Sequence, residues 1–290
     1  MSNQITTAFV QQYSSNVQML SQQMGSVLRG VVDVESVTGK NAFFDQVGKT
    51  TAVLRTSRHS DTPQIDTPHS RRRVSLADYE WADLIDNADK VRLLIDPTSS
   101  YAKAAAAAMG RAMDDVIIAA LGGTSYTGET GSTSVTLPSG QKPYSASQTD
   151  RLTVAKLLNA KKILDLADVD PSLPRFIVCG PTQISDLLNT TEVKSSDYNT
   201  VKALAMGQLD SFLGFKFIVS NRLKFDATNT DDRLAYAFTS DAIKLAIGQD
   251  VVARIDERAD KSYSTQVYYA MSIGATRMEE EKVVEIACDE

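Results

Sequence analysis

The spacing of apolar and polar positions changes rhythm several times along the chain, and each rhythm predicts a different element. Residues 4–24 carry Ile5, Phe9, Tyr13, Val17, Leu20 and Met24 at three- and four-residue steps, with Gln, Ser and Asn between them. That spacing predicts an amphipathic helix with a narrow apolar stripe, ended by Gly25. Over 27–37 the residues Val27, Val31, Val32, Val34 and Val37 predict a strand. Beyond it, Phe43-Phe44, Val53-Leu54 and Val74 are separated by polar spacers, and 57–70 is rich in turn formers, with Pro63, Pro68, His59 and His69. The pattern predicts a long two-stranded finger with a hydrophilic tip. A lone hairpin is marginal in water, so the finger is expected to lie on something else, most simply another copy of the same chain.

Asp96-Pro97-Thr98-Ser99 is a strong helix start. The helix it opens is expected to run to about Leu121, kept thin by Ala104, Ala105, Ala106, Ala107, Ala108, Ala112, Ala119 and Ala120, with Met109, Met113, Val116 and Ile117 as bulk. Gly122-Gly123 stops it. The Gly/Ser/Thr-rich stretch 124–147 reads as a surface hairpin or flexible loop. From Thr149 onward helices are expected over about 150–168, 181–188 and 199–206. Strands are expected over 175–179, 215–219, 234–238, 242–247, 251–255, 266–277 and 282–287, and no internal repeat is visible.

The 290 residues suffice for two modest domains or one large irregular one. A formal net charge of −6 argues against a body built around nucleic-acid phosphates. Cys179 and Cys288 lie far apart, fit no metal or redox spacing, and suggest a reducing compartment without a disulfide framework. The polar start Met1-Ser2-Asn3-Gln4 lacks the order of a secretory signal. No stretch approaches the roughly 20 apolar residues of a membrane span, so no membrane partner is expected.

Candidate chemistry is thin. Cys179-Gly180-Pro181 follows a strand and heads a helix, where a dipole can lower a thiol pKa; the bland reading is a buried small hydrophobe. His59 and His69, with Asp61 and Asp66 between them, have the composition of a metal or pH-sensing cluster but no ligand spacing. Arg71-Arg72-Arg73 suits phosphate contact, pairing with acidic groups of a neighbouring subunit, or simple solvation. Glu279-Glu280-Glu281 reads as an edge or turn between strands, and Asp114-Asp115 as the polar face of the thin helix. No phosphate-binding loop, dinucleotide fingerprint, HExxH or GxSxG is present, so no catalytic residue, cofactor or metal is expected.

The order arm, finger, thin helix, α/β region and sheet-rich return resembles the major capsid proteins of tailed double-stranded DNA bacteriophages, the HK97-like fold. Three segments carry the resemblance. The first is Gly207-Gln208-Leu209-Asp210-Ser211-Phe212-Leu213-Gly214 with the strand to Ser220. The second is Ala237-Phe238-Thr239-Ser240-Asp241-Ala242 through Val251-Val252-Ala253-Arg254-Ile255. The third is Asp260-Lys261-Ser262-Tyr263 through Arg277, followed by Lys282-Val283-Val284-Glu285-Ile286.

The resemblance implies an α+β fold. It implies an N-terminal arm over 1–35, an E-loop over 36–82, a peripheral domain over 83–123 with a spine helix and over 246–290 with its sheet, and an axial domain over 124–245. It further implies a structural virion protein, made and assembled in the bacterial host cytoplasm. Copies would form the pentamers and hexamers of an icosahedral head around double-stranded DNA. A separate scaffold protein is expected, because the arm begins at residue 1, with portal and cement proteins as further partners. Arg71, Arg72 and Arg73 become candidate inter-subunit contacts. Some members cross-link an E-loop lysine to an asparagine of the late long strand beside a glutamate. Lys40 or Lys49 is available here, but 260–277 contains neither Asn nor Glu, so no covalent cross-link is expected. An encapsulin-like nanocompartment, or an enzyme using Cys179, is the competing reading.

Overall fold

The computed structural model describes residues 22–59, 61–86, 98–144, 151–189, 211–227 and 231–290. The helices expected over 4–24 and 199–206 fall mostly or wholly outside these residues. By compactness the chain divides into one unit of Met1–Ser26, Asp78–Ala112 and Gln249–Ser272, and a second of Val27–Ala77, Met113–Gly248 and Ile273–Glu290.

In the first unit, β4 (Ala77–Ile85), the far part of β11 (Ile243–Arg258) and most of β12 (Ser264–Arg277) form a sheet of order β11-β12-β4. The sequence reads as two short strands over 242–255. The structure has one 16-residue strand, β11, with the 14-residue β12 as its neighbour in the sheet. Helix α1 (Thr98–Gly122) begins in this unit and matches the expected bounds closely. Its Gly110 lets another stretch of backbone pass: a Cβ there would stand 2.6 Å from Gly25 Cα and 2.7 Å from Ser26 N. Arg111 fastens the same passage, donating to Gln22 Oε1 at 2.9 Å and to the Gln23 carbonyl at 3.2 Å.

The second unit holds two sheets. One has the order β13-β10-β7-β9-β8, built from β7 (Arg175–Cys179), β8 (Ser211–Phe212), β9 (Phe215–Val219), β10 (Asp232–Thr239) and β13 (Val283–Asp289). Its middle strand β7 is buried throughout, as the unbroken run Phe176-Ile177-Val178-Cys179 requires, and pairs in parallel with β9 and antiparallel with β10. Helices α2 (Val154–Leu166) and α3 (Pro181–Asn189) supply Leu157, Ala160, Leu164, Ile184 and Leu187 to the core. Thr153 caps α2, its side chain accepting from the Lys156 N–H at 3.4 Å. At α3, Pro181 presets the first helical φ and the Gln183 side chain reaches back to the Gly180 N–H, half of a capping box.

The other sheet has the order β2-β3-β5-β6: β2 (Asn41–Val47), β3 (His69–Ser75), β5 (Ser125–Thr127) and β6 (Thr133–Val135). Strands β2 and β3 are the finger, in register from Asn41↔Ser75 to Val47↔His69. The stretch expected as a surface hairpin or loop is the β5–β6 hairpin, and it extends the finger's sheet at the root through Arg72↔Thr127 and Arg73↔Tyr126. The finger therefore has support from its own chain.

One expectation over 27–37 changes. Only β1 (Asp33–Ser36) is strand, pairing in parallel with the start of β11, and Arg29–Val31 is a short 3-10 turn. The cause is Asp114, which is buried instead of lying on a solvated face. Its carboxylate accepts from the N–H groups of Val27 (3.2 Å) and Leu28 (3.1 Å) and turns the backbone before it can pair.

Gly→Ala inside a helix ordinarily gains about 1 kcal/mol. Gly110→Ala is expected to destabilise instead, by about 1–3 kcal/mol, because the methyl meets backbone that cannot rotate away. A urea midpoint lower than that of the unsubstituted chain confirms this; a higher one contradicts it.

Candidate assembly site at the root of the finger

The alternation of β3 sends Arg71 and Arg73 to one face and Arg72 to the other. Arg71 Nε donates to Asp45 Oδ1, directly opposite on β2, at 3.0 Å, and its guanidinium lies 5.6 Å from the Phe43 ring centre. Arg73 lies over the Tyr126 ring at 4.8 Å, joining β3 to β5. Arg72 is buried: its Nε donates to the Met278 carbonyl at 2.9 Å and its Nη2 pairs with Glu280 Oε2 at 2.6 Å.

The same short turn holds the other strand. Gln46 Nε2 donates to the Met278 carbonyl at 2.8 Å, and Lys49 Nζ pairs with Glu281 Oε2 at 2.8 Å. Val37, Phe44, Val74 and Ala246 fill the space beneath, with Met278 packed against them. Gly274 lets β12 come close: a Cβ there would collide with the Ser75 carbonyl and stand 3.0 Å from Val74 Cγ2.

Arg277 joins this root to the end of α1. Its side chain is 0% exposed. Nη1 donates to the carbonyls of Leu121 (2.8 Å) and Gly123 (2.9 Å), and Nη2 to that of Val135 at 3.3 Å. Carbonyls at a helix C-terminus lack intrahelical donors and carry the negative end of the dipole, so a buried cation fits there. Glu280 Oε1 stands 3.7 Å from Arg277 Nε, which places one carboxylate between two guanidiniums. Burial lowers the Arg277 pKa from its ordinary value, and Glu280 opposes that shift.

Beyond the root the finger changes character. Among the described residues no hydrogen bond or ion pair ties 50–67 to the rest of the chain, and Val53, Leu54 and Ile65 are 59%, 84% and 47% exposed. The extension thus has a clamped base and a bare apolar end.

Residues 5–290 match the family model of phage capsid proteins. The chain belongs to that family. No curated protein matches the sequence. Among solved structures, the capsid of cyanophage P-SCSP1u aligns with a TM-score of 0.74 at 16% identity, over 99% of this chain and 94% of that one. Mycobacterium phage Che8 aligns at 0.70 and 18%, over 96% and 97%. The acidic stable capsid of Helicobacter pylori bacteriophage KHP30 aligns at 0.73 and 11%, over 100% and 98%. The shared feature at such identities is the fold, which is the HK97-like α+β fold.

A capsid protein is structural, and this chain is not an enzyme. The remaining candidates sit accordingly. Cys179 is fully buried in the core of the five-stranded sheet, where burial and then the neighbouring Cys288 push its thiol up to about 12. Burial does the same to Cys288. His59 occupies a turn at φ 61° and His69 opens β3. No group of three His, Cys, Asp or Glu that could hold a metal ion occurs among the described residues. Asp115 receives both arms of the Arg222 guanidinium, with Nε at 2.5 Å.

Residue-type patterns pointed to the arginine triplet but not to its partners. Glu279-Glu280-Glu281 has the pattern of an edge or turn between strands, and residue type alone gives Arg277 no role. One signal was present: Arg277 shares strand parity with the buried Val267, Met271 and Ile273, so a cation was due on the inner face.

Two outcomes follow. Glu280→Gln leaves two buried guanidiniums facing each other and is expected to cost about 3–5 kcal/mol; a chemical-denaturation midpoint near that of the unsubstituted chain overturns the assignment. With both thiols pushed up to about 12, a thiolate-selective dye at pH 8 should label neither cysteine in the folded chain and both in denaturant. Rapid native labelling of either contradicts their placement.

Proposed function

We infer that copies of this chain assemble into the pentamers and hexamers of an icosahedral phage head enclosing double-stranded DNA. The finger of one copy lies across the next. The observation that carries the reading is the clamped root with its exposed apolar tip at Val53, Leu54 and Ile65. On this reading 1–35 is the N-terminal arm, 36–82 the E-loop, 83–123 and 246–290 the peripheral domain, and 124–245 the axial domain. Assembly proceeds with a separate scaffold protein in the host cytoplasm, and portal and cement proteins join the shell. The acidic balance of the chain, −6 overall, suits a wall that encloses DNA without gripping it.

The contact between copies is non-covalent. Residues 260–277 offer no Asn or Glu to a finger lysine. Of the three arginines, Arg72 is committed to Glu280 within its own chain. Arg71, whose side chain is 41% exposed, is the one best placed to reach an acidic group of a neighbour.

The test is co-expression with the scaffold protein and electron microscopy. The intact chain should give closed shells that dissociate to single chains on a denaturing gel. Replacement of residues 50–66 by a short Gly-Ser turn should leave a folded chain that forms no shells. Shells formed without the tip, or a ladder of covalent multimers, would overturn the reading.

A further inference from the structure

The finger is held at its root by two ion pairs of very different character. Arg72–Glu280 is buried, with side chains 9% and 16% exposed, and shares its carboxylate with Arg277. Lys49–Glu281 is open to water, with side chains 70% and 54% exposed. Yet Lys49 is not merely a surface charge near an acid. Its ammonium also donates to the Ala167 carbonyl at 3.0 Å, and Ala167 is the C-cap of α2. The site thus combines a carboxylate, an orphan helix carbonyl and the negative end of a helix dipole. Its pKa lies above the ordinary lysine value, through the hydrogen bond and charge of Glu281 and the charges of Asp168 and Glu279.

Position gives this contact leverage. The Gly48 N–H to Pro68 carbonyl bond, at 2.8 Å, is the last backbone rung of the finger, and Lys49 is the next residue out. Beyond it no hydrogen bond or ion pair among the described residues joins 50–67 to the body of the chain. Whatever holds Lys49 therefore sets the direction in which the tip leaves.

We propose that Lys49, seated between Glu281 and the Ala167 carbonyl, is a releasable latch that fixes the launch angle of the finger, and that its release lets one sequence fit the differently curved positions of a shell. The inference rests on the assembly reading above and names a positioning residue within it. The buried Arg72–Glu280 pair keeps the root attached while the exposed latch, screened by salt and competed for by water, opens and closes.

The test uses the full chain carrying Leu54→Cys at the tip and Leu158→Cys on α2, both exposed and both spin-labelled; the native cysteines are buried and stay unlabelled. Pulsed electron paramagnetic resonance on the unassembled chain should give one narrow distance at low salt. Adding Lys49→Gln or Glu281→Gln should abolish that narrow distance, Lys49→Arg should retain it, and about 1 M salt, with its Debye length of about 3 Å, should abolish it in the parent. In shells assembled from the unlabelled chain, Lys49→Gln should replace a uniform particle size with a mixture. Distances unchanged by Lys49→Gln, or an unchanged size distribution, overturn the latch. If the unsubstituted chain forms no shells with its scaffold, the assembly reading fails, while the distance measurement still decides whether the latch exists.

Discussion

Burying the guanidinium of Arg277 is the constraint on which the rest of the second unit depends. A side chain with five donors and a fixed charge can leave water only where acceptors already converge. They converge here because α1 ends at Gly122-Gly123, leaving the Leu121 and Gly123 carbonyls free, and because Val135 of β6 and Glu280 complete the ring. Glu280 is then shared with Arg72 of the finger. One carboxylate and two arginines so connect the helix end, the β5–β6 hairpin, the last long strand and the finger root. An interior ion cluster is not by itself a large source of stability, since desolvation opposes the Coulomb attraction. Its value is geometric: it fixes which elements meet at the root.

That geometry divides the finger into a root and a tip with opposite properties. The root has a paired ladder, an apolar plug of Phe44 and Val74, and charged clamps on both strands. The tip has apolar side chains in water and no described bond to its own body. On the proposed assembly reading, a subunit that joins copies of itself through the finger needs this division. A tip that satisfied itself would have nothing to offer a neighbour, and a root that gave way would lose the contact's direction.

Much of the fold was legible because local rules and tertiary context agreed. The Asp96-Pro97-Thr98-Ser99 start signal, the alanines and the double glycine gave α1 nearly to the residue, and the unbroken run of β7 and the alternation of β9 did the same for those strands. The reading failed where a distant side chain decided the local backbone. Valine-rich 27–37 turns because Asp114, 87 residues from Val27, captures two of its N–H groups. Two apparent strands are one, β11, with β12 as its neighbour in the sheet. The finger's support from β5 and β6 depends on hydroxyl-rich segments whose pattern resembles a loop. At the candidate site, the arginine triplet was visible as composition, but which arginine turns inward depends on the register of β3 and on Glu280, 208 residues away from Arg72. Sequence spacing carries no information about such a pair.

The central claim is that Arg72 and Glu280 act as one unit in holding the finger to the chain. A double-mutant cycle on folding stability tests it most directly, with Arg72→Met, Glu280→Met and the double variant measured by chemical denaturation. Coupling of about 1.5 kcal/mol or more, with the double variant less destabilised than the sum of the two single ones, is the predicted result. Single-variant effects that add within about 0.5 kcal/mol would show that the two residues do not act together, and would contradict the account.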